Sequence, residues 1–440
     1  MIGKNSGSMT PKARRTVLAC VLAWFLDAWD TFLLVYVFTD IAHSFSVSLS
    51  TSASLLLITY STRWLGGMIF GHVAALQGRK KALIIALAVA SVFTGLTGAA
   101  PTFPMLIVIR LIFGIGMGGV YAAAGPLATE SLPARGRGTG SGLFMFGFYA
   151  GVTVAPFVYY LVEPTWGWRP IFYIGSASLL LIPFIMYWVP ESPVWLETRQ
   201  RSQAADLGRP ATVSVWSLFG KQFIAITIIM IGVEAAGFLS GYPFLTILPS
   251  YLKVAHHFSA SVIALAGTLG GIGNMIGALI GGWLSDRIGR RRTYLLSYVL
   301  TLIPVAVGLL FVNPLIIYAG TTFTGVVTGA QGGMITAFEN EHFPTEIRAA
   351  GNGFIHNIGS LFGTGASVIT VFLRESIGFQ GAILAFVAFG VLLGLVSIRF
   401  TTETRGISLA ANSGALGEDA GSYHEGARTD GSRLTDRLND

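Results

Sequence analysis

The stretch GHVAALQGRKK, residues 71–81, recurs as GWLSDRIGRRR at residues 282–292, 211 positions further along the chain. Other matches keep the same offset, as Gly167 does with Gly378. Chance matches between short motifs would not stay in register over this distance, so the chain is interpreted as two copies of one unit. The repeated positions are Gly71, Gly78, Arg79, Glu130 and Arg137 in the first copy and Gly282, Gly289, Arg290, Glu341 and Arg348 in the second.

Long apolar runs make up most of each copy. The chain is 53% hydrophobic and only 11% charged, with a mean hydropathy of +0.67. A bilayer core about 30 Å thick needs roughly 20 residues of helix, and twelve such runs can be drawn, six in each half. They cover residues 16–39, 50–71, 81–100, 104–129, 138–162, 171–190, 222–247, 258–283, 293–312, 314–338, 349–373 and 379–401. The sequence therefore predicts an all-α membrane protein with twelve transmembrane helices in two six-helix bundles.

These runs divide the chain into five segments. Residues 16–190 and 222–401 are predicted to form the two bundles, residues 1–15 an N-terminal segment, and residues 191–221 a polar, basic linker. Residues 402–440 consist mainly of glycine, serine, alanine and charged residues. Such a segment is too polar to build a core, and it is expected to be disordered.

Lysine and arginine are distributed unevenly between the loops. Most of the 28 fall in the terminal segments and in loops on the same side, such as residues 79–81 and 290–292. Because positive loops face the cytoplasm, both termini are predicted to be cytoplasmic. The chain has no Asn-x-Ser/Thr sequon, which fits a bacterial inner membrane. The net charge of +7 then reflects the orientation of the chain in the membrane. We therefore expect the protein to contact the lipid bilayer and not to bind nucleic acid.

Five charged residues lie deep inside the predicted spans, away from their ends, where a charge costs about 2.5–3.5 kcal/mol even on permissive scales. They are Asp27, Asp30, Arg63, Arg110 and Glu234. Asp27 and Asp30 are three residues apart and share one helix face. Counting ~1.5 Å per residue from the predicted helix ends places them at depths of roughly 16 and 21 Å, Arg63 at roughly 10 Å and Arg110 at roughly 21 Å. Each is expected to face a cavity or a charged partner.

The acidic pair and the two arginines predict a proton site and an anion site. Two carboxylates on one helix face cannot both carry charge cheaply in a partly dry cavity, whereas a nearby arginine favours the charged form. We expect Asp27 or Asp30 to carry a coupling proton. Arg63 or Arg110 would bind an anionic group, because the guanidinium fork matches a carboxylate. The alternative for each arginine is a permanent structural ion pair that clamps helices together.

The second half offers mainly neutral polar groups. Glu234 is a candidate second proton-coupling residue, or else a buried hydrogen-bonding group. The other candidate substrate contacts are Tyr60, Tyr149, Gln331, Asn352, His356 and Asn357. A lone histidine or an aromatic ring in a membrane helix is more often a packing residue, so these rank below the charges. The sequence has no Ser/His/Asp or metal-ligand cluster at suitable spacing, so we expect neither enzymatic activity nor a metal or cofactor. We also expect the protein to function as a monomer.

The paired loop motif, the run RLIFGIGMGG at residues 110–119 and PESPVWL at residues 190–196 together resemble the major facilitator superfamily. The resemblance covers nearly all of residues 16–405. It implies two bundles around a central cavity that opens alternately to each side, and it implies that the repeated motif residues form a cytoplasmic gate. Asp286 supplies the loop carboxylate of the second copy, whereas Ala75 stands in its place in the first. This departure implies a gate that is weaker there or is held by other groups.

Within that superfamily, LDAWDTFLLVYVFTDIA at residues 26–42, TRWLGG at residues 62–67 and WGWRPIFYIG at residues 166–175 are similar to sialate:proton symporters and their lactate and pyruvate relatives. The resemblance implies proton-coupled symport of a small organic anion. Some sialate transporters carry an additional pair of helices between the halves, for which this linker is too short, and that favours a smaller monocarboxylate. The alternative is a facilitator, or a proton-coupled exporter of another metabolite, a sugar or a drug, on the same fold.

Overall fold

A computed structural model of the protein describes residues 10–133, 136–204 and 215–407, and helices account for nearly all of them. The first half contains α1 (Pro11–Tyr36), α2 (Phe38–Phe45), α3 (Leu49–Gln77), α4 (Arg79–Ala99), α5 (Phe103–Glu130), α6 (Arg137–Trp166), α7 (Arg169–Gly175) and α8 (Leu181–Trp188). After α9 (Pro193–Ala204), the second half contains α10 (Ile224–His256), α11 (Ala260–Ile288), α12 (Arg290–Leu310), α13 (Pro314–His342) and α14 (Thr345–Arg399). The predicted disordered tail beyond residue 407 lies outside the described residues, as do residues 1–9 and residues 205–214 of the predicted linker.

The backbone repeats with the sequence. Gly78 separates α3 from α4 with φ +101°, and Gly289 separates α11 from α12 with φ +99°. Gly167 ends α6 with φ +72°, and Gly378 interrupts α14 with the same φ. Only glycine adopts such dihedral angles readily, so the four glycines divide the two halves into equivalent helices at equivalent places.

The predicted membrane fold is confirmed. Within the described residues, nine helical segments are long and apolar enough to cross a bilayer. The other three predicted spans correspond to α3, α13 and the part of α14 before Gly378. These three are helices of the same length class that carry more polar and small residues. The protein is therefore an all-α membrane protein with two bundles of six spans.

Several predicted helix ends were wrong. The second span was predicted to end at residue 71 and the tenth at residue 338, whereas α3 continues to Gln77 and α13 to His342. The predicted span 171–190 is divided into α7, a 3-10 turn (Ser176–Leu180) and α8. Apolar runs mark the bilayer core, but a helix continues into the polar interface until a glycine or a cap ends it.

Glycines allow the helices to pack in close contact. A side chain at Gly118 of α5 would collide with the backbone carbonyl of Arg63 in α3, and one at Gly329 of α13 would collide with the backbone of Asn274 in α11. The four residues form two pairs at the 211-residue offset. Close backbone contact of this kind replaces the hydrophobic effect as the source of helix association in lipid.

The two bundles meet at one end of the molecule. We call it the basic end, and define it by the Gly78 and Gly289 turns and by the first turns of α6 and α14. There Gly71 of α3 packs against Ala350 of α14, and Gly282 of α11 packs against Gly138 of α6. The basic end is therefore closed in this conformation.

Candidate functional site

Two acid–base pairs connect helices of the first bundle. Arg63 of α3 lies 3.7 Å from a carboxylate oxygen of Asp27 in α1, and Arg110 of α5 lies 3.2 Å from a carboxylate oxygen of Asp30 in α1. All four side chains are almost completely buried. The structure thus brings the four charged residues of the first half together, but as two separate pairs.

The pair of Asp30 and Arg110 lies inside the first bundle. The guanidinium carbon of Arg110 lies 4.9 Å from the ring centroid of Phe113 and 4.8 Å from that of Phe172. The hydroxyl group of Thr94, which donates to the carbonyl of Ala90, also lies near Asp30. Two nitrogens of Arg110 lack a partner among the described residues, but the rings cover its faces. All of these neighbours belong to the first bundle, as expected for a clamp between helices.

The pair of Asp27 and Arg63 faces the second bundle. Arg63 lies over the ring of Tyr60, with 5.0 Å between the guanidinium carbon and the ring centroid. It is close enough to Tyr242 and His356, both in the second bundle, to act on them electrostatically. Of the two predicted arginines, Arg63 is therefore the one that lies at the interface between the bundles.

Asp27 and Arg63 are held loosely. Their 3.7 Å separation is longer than a hydrogen bond. Within the described part of the chain, neither carboxylate oxygen of Asp27 accepts a hydrogen bond, and Nε and Nη2 of Arg63 donate none. Buried charged groups are stable only when their hydrogen-bonding capacity is used. This pair can therefore accept a proton on one side and an anion on the other.

The predicted depth of Arg63 was wrong. Arg63 precedes Gln77, the last residue of α3, by fourteen positions, which corresponds to about 21 Å along the helix. The sequence estimate of roughly 10 Å counted from the outer end of the span at residue 50 and took the helix to be no longer than the bilayer core is thick. The 29-residue α3 is longer than that, and Arg63 lies near its middle, where it reaches Asp27.

A cavity of about 100 Å³ lies between the second bundle and α6, which is room for roughly three water molecules. It runs from Glu234 along α10 and α11 toward the end opposite the basic end. Four predicted site residues line it, namely Tyr149, Glu234, Gln331 and His356. Tyr60, Arg63, Arg110, Asn352 and Asn357 are not among its lining residues.

His356 connects the two halves of the site. Its Nδ1 atom lies 2.7 Å from a carboxylate oxygen of Glu234. Its ring stacks on Tyr121 of the first bundle, with 3.6 Å between ring centroids, and lies 5.7 Å from the ring centroid of Trp24. Trp24 in turn lies 5.6 Å from the guanidinium carbon of Arg63. The acid of the second bundle is therefore linked to the ion pair of the first through two aromatic rings.

The remaining predicted polar residues make contacts within helices or between bundles. Gln331 donates to Thr301 at 2.9 Å and accepts from Ser240 at 3.0 Å, so its amide is used inside the second bundle. Asn357 donates to the carbonyl of Gly353 at 2.6 Å and to that of Gly118 at 3.5 Å. These bonds orient the helices around the cavity.

Sequence reasoning missed Glu339. It is completely buried, and Glu234 is close enough to act on it electrostatically. It accepts hydrogen bonds from Tyr121 at 3.2 Å and from the amide of Asn352 at 2.8 Å. The predicted tenth span ended at residue 338, which placed Glu339 outside the membrane. A count of acids over the full helix α13 would have identified it.

The gate at the basic end contains the same ion pair twice. Arg79 donates from Nε to Glu130 at 3.3 Å, and Arg290 donates from Nε to Glu341 at 3.2 Å. In the first half Glu191 accepts from the backbone nitrogens at the start of α4, and in the second half Glu403 does so at the start of α12. Carboxylates at helix N-termini are stabilising, so both copies build the same turn from the repeated motif.

The two bundles are joined by different groups on the two sides of the gate. On the α11–α6 side, Asp286 accepts from the backbone nitrogens of Gly138 at 3.0 Å and Thr139 at 2.8 Å. Arg137 there donates to the carbonyl of Ile407 at 2.6 Å, and Glu341 of the second bundle acts on it electrostatically.

On the α3–α14 side, Ala75 offers no carboxylate. There Arg348 of the second bundle reaches across to Glu130 of the first at 2.8 Å, and Arg79 donates to the carbonyl of Thr345 at 2.6 Å. The indole nitrogen of Trp195 also donates to the carbonyl of Ala75 at 2.8 Å. Of the two expectations for this side, the structure favours a gate held by other groups over a gate left weak.

Replacing Ala75 with aspartate should strengthen the closed basic end. By the repeat, the new carboxylate would face the backbone nitrogens of Ala349 and Ala350, as Asp286 faces those of α6, which contributes about 0.3–1 kcal/mol. A reporter cysteine at Ser141, which packs against Ala337 across the bundle interface, measures opening in a Cys20→Ala background. Labelling of this cysteine from the basic end should slow roughly two- to fivefold. An equal effect of Ala75→Asn would contradict the electrostatic explanation.

Comparisons with known proteins agree with this architecture. A sequence profile described as Major Facilitator Superfamily matches residues 20–256 and 233–418. The chain is 28% identical to the sialic acid transporter NanX of Escherichia coli (strain K12), over 89% of this chain and 93% of that protein. It is 27% identical to the cis,cis-muconate transport protein of Acinetobacter baylyi, over 88% of this chain and 94% of that protein. Among solved structures, the proton:xylose symporter XylE superposes with a TM-score of 0.75 at 21% identity, over 93% of this chain and 100% of that one.

Proposed function

The chain belongs to the Major Facilitator Superfamily, a family of membrane transporters rather than enzymes, and on that premise we propose that it couples the uptake of a small organic anion to the uptake of protons. The loosely held pair of Asp27 and Arg63 carries this proposal. It is a buried charged pair at the bundle interface whose hydrogen-bonding capacity is unused among the described residues. Repeat interfaces near the midplane are where such transporters bind substrate.

Charge balance explains how this pair would couple two solutes. Without substrate, Arg63 and Asp27 neutralise each other. A substrate carboxylate that binds the free donors of Arg63 leaves Asp27 without its counter-charge, and Asp27 then favours the protonated form. The empty site and the site loaded with both anion and proton are each neutral. A site with only one of the two carries a net charge, which is costly to move through a closed, low-dielectric conformation.

The names of the similar proteins support an organic acid as the substrate. NanX is named for sialic acid and the Acinetobacter protein for cis,cis-muconate, and both compounds carry a carboxylate. The short linker between the halves favours a monocarboxylate smaller than sialate, such as lactate or pyruvate. The protein would act as a monomer in a bacterial inner membrane, with the basic end and both termini in the cytoplasm.

The test is uptake by the purified protein in proteoliposomes, with and without an imposed inward proton gradient. Radiolabelled lactate, pyruvate, sialate and aromatic acids form the panel. We expect one of these acids to accumulate above its external concentration, and we expect an uncoupler to abolish the accumulation. Uptake that only equilibrates, with or without the gradient, would identify a facilitator. Proton-driven efflux without uptake would identify an exporter.

A further inference from the structure

The second bundle contains a pair of carboxyl groups that the mechanism above does not use. Glu234 of α10 and Glu339 of α13 belong to one buried cluster, in which His356 bonds to Glu234 and stacks on Tyr121, and Tyr121 donates to Glu339 at 3.2 Å. The two carboxyl groups are close enough to act on each other electrostatically. Among the described residues, no lysine or arginine forms an ion pair with either of them, and the only cationic candidate in contact is His356, at 2.7 Å from Glu234. Two ionised carboxylates offer only acceptors to each other.

We propose that Glu234 and Glu339 form a second proton-binding site, which holds one shared proton in this conformation and thereby keeps the basic end closed. Two ionised carboxylates in one buried cluster would repel each other, and that repulsion would be only weakly screened. A proton on one of them removes the repulsion and supplies a donor that the two groups can share. The proposal rests on the proposed function only in taking the proton as the coupling ion.

The neighbouring groups do not supply the missing positive charge. The groups that face the pair are His356 of α14, Tyr121 of α5, Tyr149 of α6, and Tyr294 and Tyr298 of α12. Two arginines lie one residue further away: Arg63 beyond His356, and Arg290 beyond Tyr294. The four tyrosines donate or accept hydrogen bonds without carrying charge near neutral pH. A charged His356 would offset Glu234 but would leave Glu339 without a counter-charge, so Glu339 would still hold its proton.

Glu339 lies at the interface between the two bundles, which opens when the bundles separate. Tyr121, in the first bundle, donates to its carboxyl group at 3.2 Å. The next residue, Asn340, donates to Thr129 of the first bundle at 2.8 Å. Opening the basic end must break both bonds and admit water to Glu339. Water lowers the cost of the ionised form, so the shared proton leaves toward the basic end as that end opens.

It follows that protons favour the closed basic end even when no substrate is present. If the pair binds its proton about tenfold more tightly in the closed conformation, raising the pH past the point of release increases the open fraction by up to about tenfold. This pH dependence of opening arises from the pair. It should disappear when either glutamate is replaced with glutamine, because the neutral amide does not repel the remaining carboxylate.

The experiment measures opening of substrate-free protein as a function of pH. The reporter is the Ser141→Cys thiol in a Cys20→Ala background, labelled with a maleimide from the basic end between pH 6 and pH 8.5. Glu339→Gln is compared with Glu163→Gln, a control glutamate in the last turn of α6, at the opposite end of that helix from the basic end. We expect labelling to rise several-fold more with pH in the parent and in Glu163→Gln than in Glu339→Gln, where only the ionisation of the thiol itself remains.

Two further measurements separate a shared proton from a general loss of structure. Glu234→Gln should flatten the pH dependence as Glu339→Gln does, and the double variant should add nothing, because one proton is shared between the two groups. Infrared difference spectra should contain a protonated carboxyl band that each single variant alters. Equal pH dependence in the parent and both single variants, or additive effects in the double variant, would overturn the proposal. Because no substrate is present, these results do not depend on whether organic anions are transported.

Discussion

Replacing Asp27 with asparagine is expected to abolish accumulation of substrate against its gradient while substrate exchange remains measurable. Asparagine resembles the protonated aspartate in size and charge, so Arg63 stays free to bind the substrate carboxylate. Because the variant cannot release or take up a proton at this position, a pH gradient can no longer drive transport of the substrate. In proteoliposomes, the accumulation ratio under an imposed proton gradient should fall to one, whereas counterflow of labelled substrate should persist.

Replacing Arg63 with lysine should have the complementary effect. Lysine keeps the charge but loses the planar fork and the stacking on Tyr60. Loss of a hydrogen bond to a charged group costs about 1.5–3 kcal/mol, so the KM for the substrate should rise roughly ten- to hundredfold. Because Asp27 remains, the substrate that is still transported should still be taken up together with protons.

Asp30→Asn is the matched control on the same helix. The change leaves Arg110 buried without its carboxylate, and breaking a buried pair in this way costs about 3–5 kcal/mol. Its effect should appear as a lower melting temperature in detergent, which Asp30→Asn combined with Arg110→Gln partly restores. If Asp30→Asn instead uncouples transport at unchanged stability, and Asp27→Asn accumulates substrate normally, the coupling proton belongs to Asp30 and the proposed division of roles is wrong.

The repeat and the apolar runs were sufficient to predict the fold. A 211-residue offset constrains both halves at once, and bilayer thickness limits the possible helices, so the class of fold and the presence of buried charges could be inferred without coordinates. Charges inside a membrane have few stable places. For this reason Asp27, Asp30, Arg63 and Arg110 could be recognised as a group.

The pairing within that group required the structure. Which acid meets which arginine depends on helix rotation and on the depth of each residue, and a depth counted from an apolar run carries the error of the run's end. Taking α3 to be no longer than the bilayer core is thick placed Arg63 too close to the basic end, and ending α13 four residues early hid Glu339. Polar helix ends look like loops in a hydropathy pattern, although in this fold they form the buried gate between the bundles.

Replacing Glu130 with glutamine is expected to shift the protein strongly toward an open basic end. Glu130 is completely enclosed between Arg79 of its own bundle, at 3.3 Å, and Arg348 of the other bundle, at 2.8 Å. Both guanidinium groups are fully buried. Removing their shared carboxylate leaves two buried positive charges facing each other, and removing one partner of a buried ion pair costs about 3–5 kcal/mol.

The cost falls mainly on the closed conformation. When the bundles separate, Arg348 moves away from Arg79 and both are hydrated, so the open state avoids most of the penalty. Even half of the penalty shifts the equilibrium by roughly tenfold or more. Labelling of the Ser141→Cys reporter from the basic end, in the Cys20→Ala background, should therefore be at least about tenfold faster in the Glu130→Gln variant.

The internal repeat provides the matched control. Glu341→Gln removes the equivalent acid of the second copy, but Arg290 keeps a carboxylate, because Asp286 lies 2.7 Å from its guanidinium group. Arg290 and Glu341 belong to the same bundle, so their bond survives opening. Of the contributions of Glu341, opening weakens its electrostatic attraction to Arg137 of the first bundle. Glu341→Gln should thus lower thermal stability and accelerate reporter labelling clearly less than Glu130→Gln does. Equal acceleration of labelling in the two variants would mean that loss of either acid opens the gate to the same extent. The cross-bundle bond from Arg348 to Glu130 would then not be the contact that replaces the missing carboxylate at Ala75 and holds the α3–α14 side closed.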